Sequence, residues 1–492
     1  MALFFGAAGR PAHAESPYQP TLESLSTHPV PDWYEDAKFG IFIHWGLYSV
    51  PAYASPTFFP LTALAEWYWK LQETPGSPTW LHHLLTYGPF FVYDDFIPRW
   101  RGESWNPTEW IELFEAARAR YFIIVAKHKD GFALWPSATS HRNSVDLGPG
   151  RDVLGDLVAA AKSRGTLKWG FHYSMGEWFS PAPNPDLPLD DPQNLVTYLA
   201  VARWGIGRPL NAYTLQPVPY TGYVPIEDYG QDQVYAQLTE LIDRYHPWEI
   251  WCDLGGNHAT YYNSHEWMAH FYNQAEGENP GGVLVNDRCG SGAHADIAVI
   301  EDEGIPLQLG AAKSYHETDQ TMSHSWGYNT EETDADYKTV GDLVHNLVDA
   351  VANSSNYVVN IGPRADGTIP EVMVERLRGI GDWLAINGEA IYGTRSWTQP
   401  SDGDLRFTTG KTGGFYVTSL VWPGSEMTIK APVPIDAASE IVLLGSDSSP
   451  LAWHRDGTNV VVEMPAEGAA ATASQNAFVF RIAPGGFTPP AE

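Results

Sequence analysis

Cysteine is almost absent from these 492 residues. Only Cys252 and Cys289 occur, too few for a disulfide-stapled scaffold or a cysteine-rich zinc site. Basic residues are scarce as well: 29 Lys and Arg stand against 59 Asp and Glu, a formal charge of −30. A field of that sign repels polyanions, which argues against nucleic acid and anionic membrane surfaces as partners. No uninterrupted apolar run approaches the roughly 20 residues that span a bilayer, so membrane insertion is not expected. Also missing are a G-x-S-x-G elbow, a P-loop, a G-x-G-x-x-G after a strand and an H-E-x-x-H helix. Their absence sets aside the commonest serine-hydrolase, nucleotide-binding and zinc-protease chemistries.

What is abundant is aromatic: 20 Trp, 25 Tyr and 20 Phe. Most serve packing, but the C–H faces of sugars stack on such rings, so an acidic, Trp-rich chain fits carbohydrate binding. From about Trp33 to Trp397, short apolar runs alternate with amphipathic stretches. Strand-like runs are 39–43, 121–125, 167–171, 249–252, 282–285 and 356–360, mostly continuous rather than alternating, as in parallel strands buried on both faces. Helical patterns cover 107–119, 153–163, 231–244, 340–353 and 370–387. This order predicts an α/β fold, a parallel barrel or a doubly wound sheet. The barrel is favoured because His44, His128, Tyr173, Asp253 and Arg288 all fall just past strand ends, positions that converge on one mouth in a barrel.

After Trp397 the pattern changes to short alternating runs punctuated by Gly, Pro and Asp-Gly, which predicts a small antiparallel β-sandwich. The expected organisation is an N-terminal segment over 1–30, a (β/α)8-like (TIM-type) catalytic barrel over 31–397 and the sandwich over 398–492. The first residues carry a short apolar run and an A-x-A site at Ala12-His13-Ala14 without a basic lead, like the tail of a signal peptide. They predict a secreted or periplasmic protein. The Pro-rich stretch 184–225 reads as an insertion near the mouth, and His82-His83 as surface residues.

Carboxylates, histidines and aromatics at strand ends form the toolkit of glycoside hydrolysis: a carboxylate to attack or activate water, an acid to protonate the leaving oxygen, and polar groups for the hydroxyls. Specific blocks then carry a resemblance. Residues 33–51, WYEDAKFGIFIHWGLYSVP, are followed in order by Glu66-Trp67-Tyr68, Lys127-His128-Lys129-Asp130-Gly131-Phe132, Trp251-Cys252-Asp253 and Asn286-Asp287-Arg288. Ser325-Trp326-Gly327-Tyr328 and Asn360-Ile361-Gly362-Pro363 complete the series. This resembles glycoside hydrolase family 29, the α-L-fucosidases.

The resemblance implies a retaining, exo-acting enzyme with no cofactor or metal. Its substrates would be terminal fucosyl groups of oligosaccharides, glycoproteins or polysaccharides; a homo-oligomer is left open. Asp253 would be the nucleophile. His44, Glu66, Trp67, His128, Lys129, Tyr173, Arg288 and Trp326 would bind the sugar. The acid/base falls to Glu301, with Glu303 and Glu317 as alternatives. Rival readings are a glycosidase for a related sugar such as α-L-galactose, and a silent carbohydrate-binding barrel. Lys129 departs from the family, standing where a second His of the KHHDGF motif is usual; it donates to a sugar oxygen but cannot accept. Strand alternation turns Cys252 and Cys289 away from the pocket, and a Cα separation beyond about 7 Å would exclude a bond between them.

Overall fold

A computed structural model of the chain describes residues 17–55, 63–178, 211–216, 218, 221–224, 226–253, 256–279, 281–301, 315–411, 413–446, 449–465 and 475–483. Ala12–Ala14, most of 184–225 and Glu303 lie outside them. Eight strands form one curled parallel sheet: β1 Phe39–Ile43, β2 Tyr121–Lys127, β3 Lys168–Ser174, β4 Glu249–Asp253, β5 Leu284–Val285, β6 Ala298–Glu301, β7 His316–Thr321 and β8 Ser355–Ile361. Their order is β5-β4-β3-β2-β1-β8-β7-β6.

Strands β1, β2, β4 and β8 are buried along their whole length, because alternate side chains meet two different apolar environments. Phe42, Tyr121, Ile123, Val125, Trp251 and Val358 fill the interior. Ile41, Ile43, Phe122, Ile124, Ile250, Tyr357 and Val359 pack outward into the larger core that includes helix residues. The covering helices include Pro107–Ala116, Val153–Arg164, Ala236–Tyr245, Ser264–Glu278, Val340–Ala352 and Glu371–Asn387. Their starts follow capping chemistry. Asp152 accepts the Gly155 N–H, and Thr339 and Asp342 cap each other reciprocally.

Strands β5 and β6 share no ladder. Across that seam the Asp296 N–H donates to the Val285 carbonyl at 3.0 Å, and the Asp296 carboxylate accepts the Val285 N–H at 2.8 Å. His28, His294 and the Tyr272 hydroxyl meet the same carboxylate, tying the N-terminal segment to the seam.

Downstream, eight antiparallel strands form two sheets. β9 (Thr394–Asp402), β10 (Leu405–Gly410), β11 (Phe415–Ser419), β13 (Glu440–Leu443) and β16 (Phe478–Ala483) make one; β12 (Glu426–Ile429), β14 (Trp453–Asp456) and β15 (Asn459–Glu463) make the other. Phe407, Phe415, Val417, Ile429, Ile441, Val462 and Phe480 form the core between them. Tyr416 and Val479 belong instead to the barrel-side core, and Trp383 donates its indole N–H to the Ala477 carbonyl. This sandwich therefore buttresses the barrel. No helix among the described residues is long and apolar enough to cross a membrane.

Candidate active site

On β4 alternation points Glu249, Trp251 and Asp253 inward and sends Ile250 and Cys252 to the helix layer. Asp253, the last residue of the strand, therefore opens onto the mouth. Its position is fixed from both sides. The Met175 N–H donates to its carbonyl at 3.0 Å. The Asn286 side chain grips Cys252 with a matched pair of 3.0 Å bonds, Oδ1 accepting the Cys252 N–H and Nδ2 donating to its carbonyl. On the outer face Cys252 and Cys289 are disulfide-bonded, with Cα atoms 5.0 Å apart. The arm carrying Asp253 is thus stapled to the arm carrying Arg288.

Three cations or cation-forming groups surround the Asp253 carboxylate. Lys129 Nζ stands 3.8 Å and His172 Nε2 3.7 Å from Oδ2, and Arg288 Nη1 3.8 Å from Oδ1. Burial pushes this carboxyl upward, but Lys129, His172 and Arg288 together outweigh it and hold it well below the usual carboxylate range. The same Arg288 Nη1 also lies 2.9 Å from Glu301 Oε1. The two acidic oxygens can be no farther apart than those two distances laid end to end. That limit accommodates the roughly 5–5.5 Å of a retaining pair and reaches only the bottom of the inverting range.

Three histidines cluster beside Asp253. His44 hydrogen-bonds Asn360 Oδ1 through Nδ1 at 2.7 Å, and Asn360 Nδ2 donates to the Trp326 carbonyl at 2.7 Å. That chain orients the Asn360 amide and places the His44 proton on Nδ1, leaving Nε2 as an acceptor. Burial, reinforced by His172, brings the His44 imidazole down to about 3, so it is neutral. His128 is driven down too, by burial first and then by His172 and His44. It stacks on His172, with ring centroids 6.0 Å apart. A register shift between Val125 and Lys127 explains how His128 and Lys129 reach the mouth. It turns Lys127 outward to Glu177 at 2.6 Å, and the next residues enter the pocket.

Aromatic surfaces complete the lining. Trp326 lies 5.1 Å from His44, and Lys129 Nζ sits 5.1 Å from the Trp67 ring centre. Glu66 pins this wall: its Oε2 accepts the Gly327 N–H at 2.9 Å and the Ser325 hydroxyl at 3.3 Å. Gly362 lets the same loop press against the end of β8, since a Cβ there would fall 2.5 Å from Tyr328 N.

Most of the expected residues converge: Asp253, Glu301, Arg288, Lys129, His44, His128, Trp67, Trp326 and, behind the wall, Glu66. Tyr173 does not. It packs outward, donating to Gln237 Oε1 at 2.8 Å and accepting from Lys127, while its neighbour His172 faces Asp253. The expectation was one residue out of register, and the period of two moved it to the wrong face. Glu317 is not at the mouth either. It sits in the barrel interior, accepting from the hydroxyls of Tyr34 and Tyr121 and the Trp251 indole. His83 is fully buried against Tyr68 rather than on the surface. Sequence reasoning missed His172, Asn286 and Asn360 as site-building residues.

Comparison with known proteins gives the same picture. The family model described as alpha-L-fucosidase matches residues 7–389, and that of the alpha-L-fucosidase C-terminal domain matches 400–483. An alpha-L-fucosidase of Branchiostoma floridae is 34% identical over 480 residues, covering 94% of this chain and 95% of its own. Human plasma alpha-L-fucosidase is 34% identical over 467 residues, covering 92% and 90%. The crystal structure of Thermotoga maritima alpha-fucosidase in complex with fucose superposes with a TM-score of 0.77 at 34% identity, covering 94% of this chain and all of that one. The chain belongs to the α-L-fucosidase family, glycoside hydrolase family 29.

Proposed function

We propose that this protein is a retaining exo-α-L-fucosidase in which Asp253 attacks the anomeric carbon and Glu301 protonates the departing glycosidic oxygen. The observation that carries this is Arg288 Nη1, 3.8 Å from one carboxylate and 2.9 Å from the other. Both groups therefore come within reach of a single sugar ring. Asp253, kept ionised by its cations, forms the new C–O bond while the old one breaks and the Glu301 proton leaves with the aglycone. The covalent fucosyl-Asp253 no longer carries charge. Glu301, now a carboxylate, takes a proton from water as that water's oxygen attacks the anomeric carbon and releases Asp253.

Neutral His44 accepts from a sugar hydroxyl through Nε2. Lys129, without lone pairs, donates. Trp326 and Trp67 supply apolar surface for the C–H faces and the C5 methyl. A methyl-sized contact is worth only about 1–3 kcal/mol, so the hydroxyl contacts supply most of the selectivity. The substrates are fucosylated oligosaccharides, glycoproteins or polysaccharides. We also place the protein in an oxidising compartment, secreted or periplasmic, on the strength of the Cys252–Cys289 disulfide.

The test is mechanism-based trapping. A 2-fluoro-fucosyl donor should label the protein once, and peptide mapping should put the label on Asp253. A label on any other residue overturns the assignment.

A further inference from the structure

We propose that the floor of the barrel, at the opposite end from Asp253, carries a second site that binds negatively charged sugar residues of a glycan chain. The site is a cavity of about 490 Å³ lined by Trp33, Trp169 and Trp248 together with Arg120, Lys162 and Lys168. It lies where the strands begin: Arg120 immediately precedes β2, Lys168 opens β3 and Trp248 immediately precedes β4. Its volume falls in the range of small-ligand sites.

Charge is the argument. Acidic residues outnumber basic ones 59 to 29 in this chain; Arg142, Arg164, Arg395 and Arg406 are paired with carboxylates. Among the described residues Arg120, Lys162 and Lys168 form no ion pair. Single cations such as Arg99 and Arg101 also lack an ion pair among the described residues, but here three line one cavity. The acid beside them, Asp36, is engaged by Arg395 at 2.9 Å and Lys411 at 3.1 Å. The lysines are held in place by rings instead. Lys168 Nζ lies 3.3 Å from the Trp248 centroid and 5.1 Å from that of Trp33, and Lys162 Nζ lies 5.3 Å from that of Trp169.

A ring face holds an ammonium without neutralising it. Partial burial brings Lys168 down to about 8, the mark of a desolvated cation with no counter-ion. An entering sulfate ester or uronate carboxylate supplies that counter-ion, while the indoles meet the C–H faces of the same sugar. The choice of a glycan rather than another anion rests on the fucosidase reading. The place and sign of the site do not.

The experiment titrates the full chain with three tetrasaccharides of matched length, one sulfated, one bearing uronates and one neutral, following heat and tryptophan fluorescence. At least one charged probe should bind about tenfold or more tightly than the neutral one. The Arg120→Gln/Lys162→Gln double variant should lose about tenfold of that affinity. Both side chains are exposed, and the variant should turn over an aryl α-L-fucoside as the parent does. Lys168→Gln is the second variant, read the same way. Binding should persist with the active site saturated by an iminosugar inhibitor.

Equal affinity for the neutral probe overturns the proposal. So do loss of binding under the inhibitor, indifference to both variants, or inorganic sulfate alone binding equally well, which would make this an adventitious ion only. Charged-probe binding without aryl fucoside turnover would keep this site and sink the catalytic reading. The reverse result would do the opposite.

Discussion

Glu249 and Asp253 stand on the same strand and point the same way, four residues apart, and both are buried, yet their protons behave oppositely. Glu249, at the start of β4, has no hydrogen-bond donor for either oxygen among the described residues. Burial, then Glu317 and Asp296, push its carboxyl well above the usual range. Asp253, at the end, meets Lys129, His172 and Arg288 and is pulled well below it. Burial raises the pKa of both acids; the cations decide the outcome. Positive charge has been gathered around the carboxyl at the mouth of this barrel, and none stands against the carboxyl at the start of the same strand.

The largest test of that contrast removes the charge at the mouth. Asp253→Asn should lower kcat by about 10⁴-fold or more on an aryl α-L-fucoside, with the fold intact by circular dichroism. Residual activity within about tenfold of the parent would remove Asp253 from its role. Next in size is Glu301→Gln, expected to slow substrates with poor leaving groups by roughly 10²–10⁴-fold while sparing activated ones. Equal loss on every leaving group would assign the proton to another residue.

A substitution at Lys129 sharpens the comparison while leaving both carboxylates in the chain. Lys129→Met deletes the cation first among those holding Asp253 down, so the Asp253 carboxyl should rise. The acidic limb of the kcat/KM profile should then move to higher pH. An unmoved limb would mean that His172 and Arg288 alone set the charge of Asp253.

How much of this was legible beforehand follows from the same physics. Strands β1, β2, β4 and β8 announce themselves because their two faces meet two apolar layers, and β3 by its outward Trp169, Phe171 and Tyr173. Strand β7, HETDQT, does not, since Glu317, Asp319 and Thr321 line a polar part of the interior and nothing apolar marks the strand. Helix Ser264–Glu278 was passed over although Asn263 and Glu266 stand at capping-box spacing; in the structure Asn263 sits at φ 48 and makes no capping bond. Asp253, Arg288 and the two mouth histidines could be placed because they follow strands inside ordered motifs. His172 could not: Phe171, His172 and Tyr173 present aromatic rings to both faces. Only the pairing of His172 with Trp251 across the ladder decides which one looks inward.

The smallest expected effect lies at the closed end of the comparison and concerns stability rather than rate. A carboxyl whose folded pKa exceeds its unfolded value binds more protons in the native state. Its contribution to stability is full below the unfolded pKa, near 4, and is lost as pH rises toward the folded pKa. Glu249 is such a group. Glu249→Met keeps most of the volume and removes the ionisable group. It should raise stability by roughly 1–3 kcal/mol at pH 7.5, with the gain shrinking toward pH 4.5, as read from denaturant midpoints at the two pH values. Aryl fucoside kinetics should not change, because Trp251 separates this position from Asp253 along the inward face of β4. A gain equal at both pH values would show that Glu249 carries no excess proton in the fold, and the opposition between the two ends of the strand would fail.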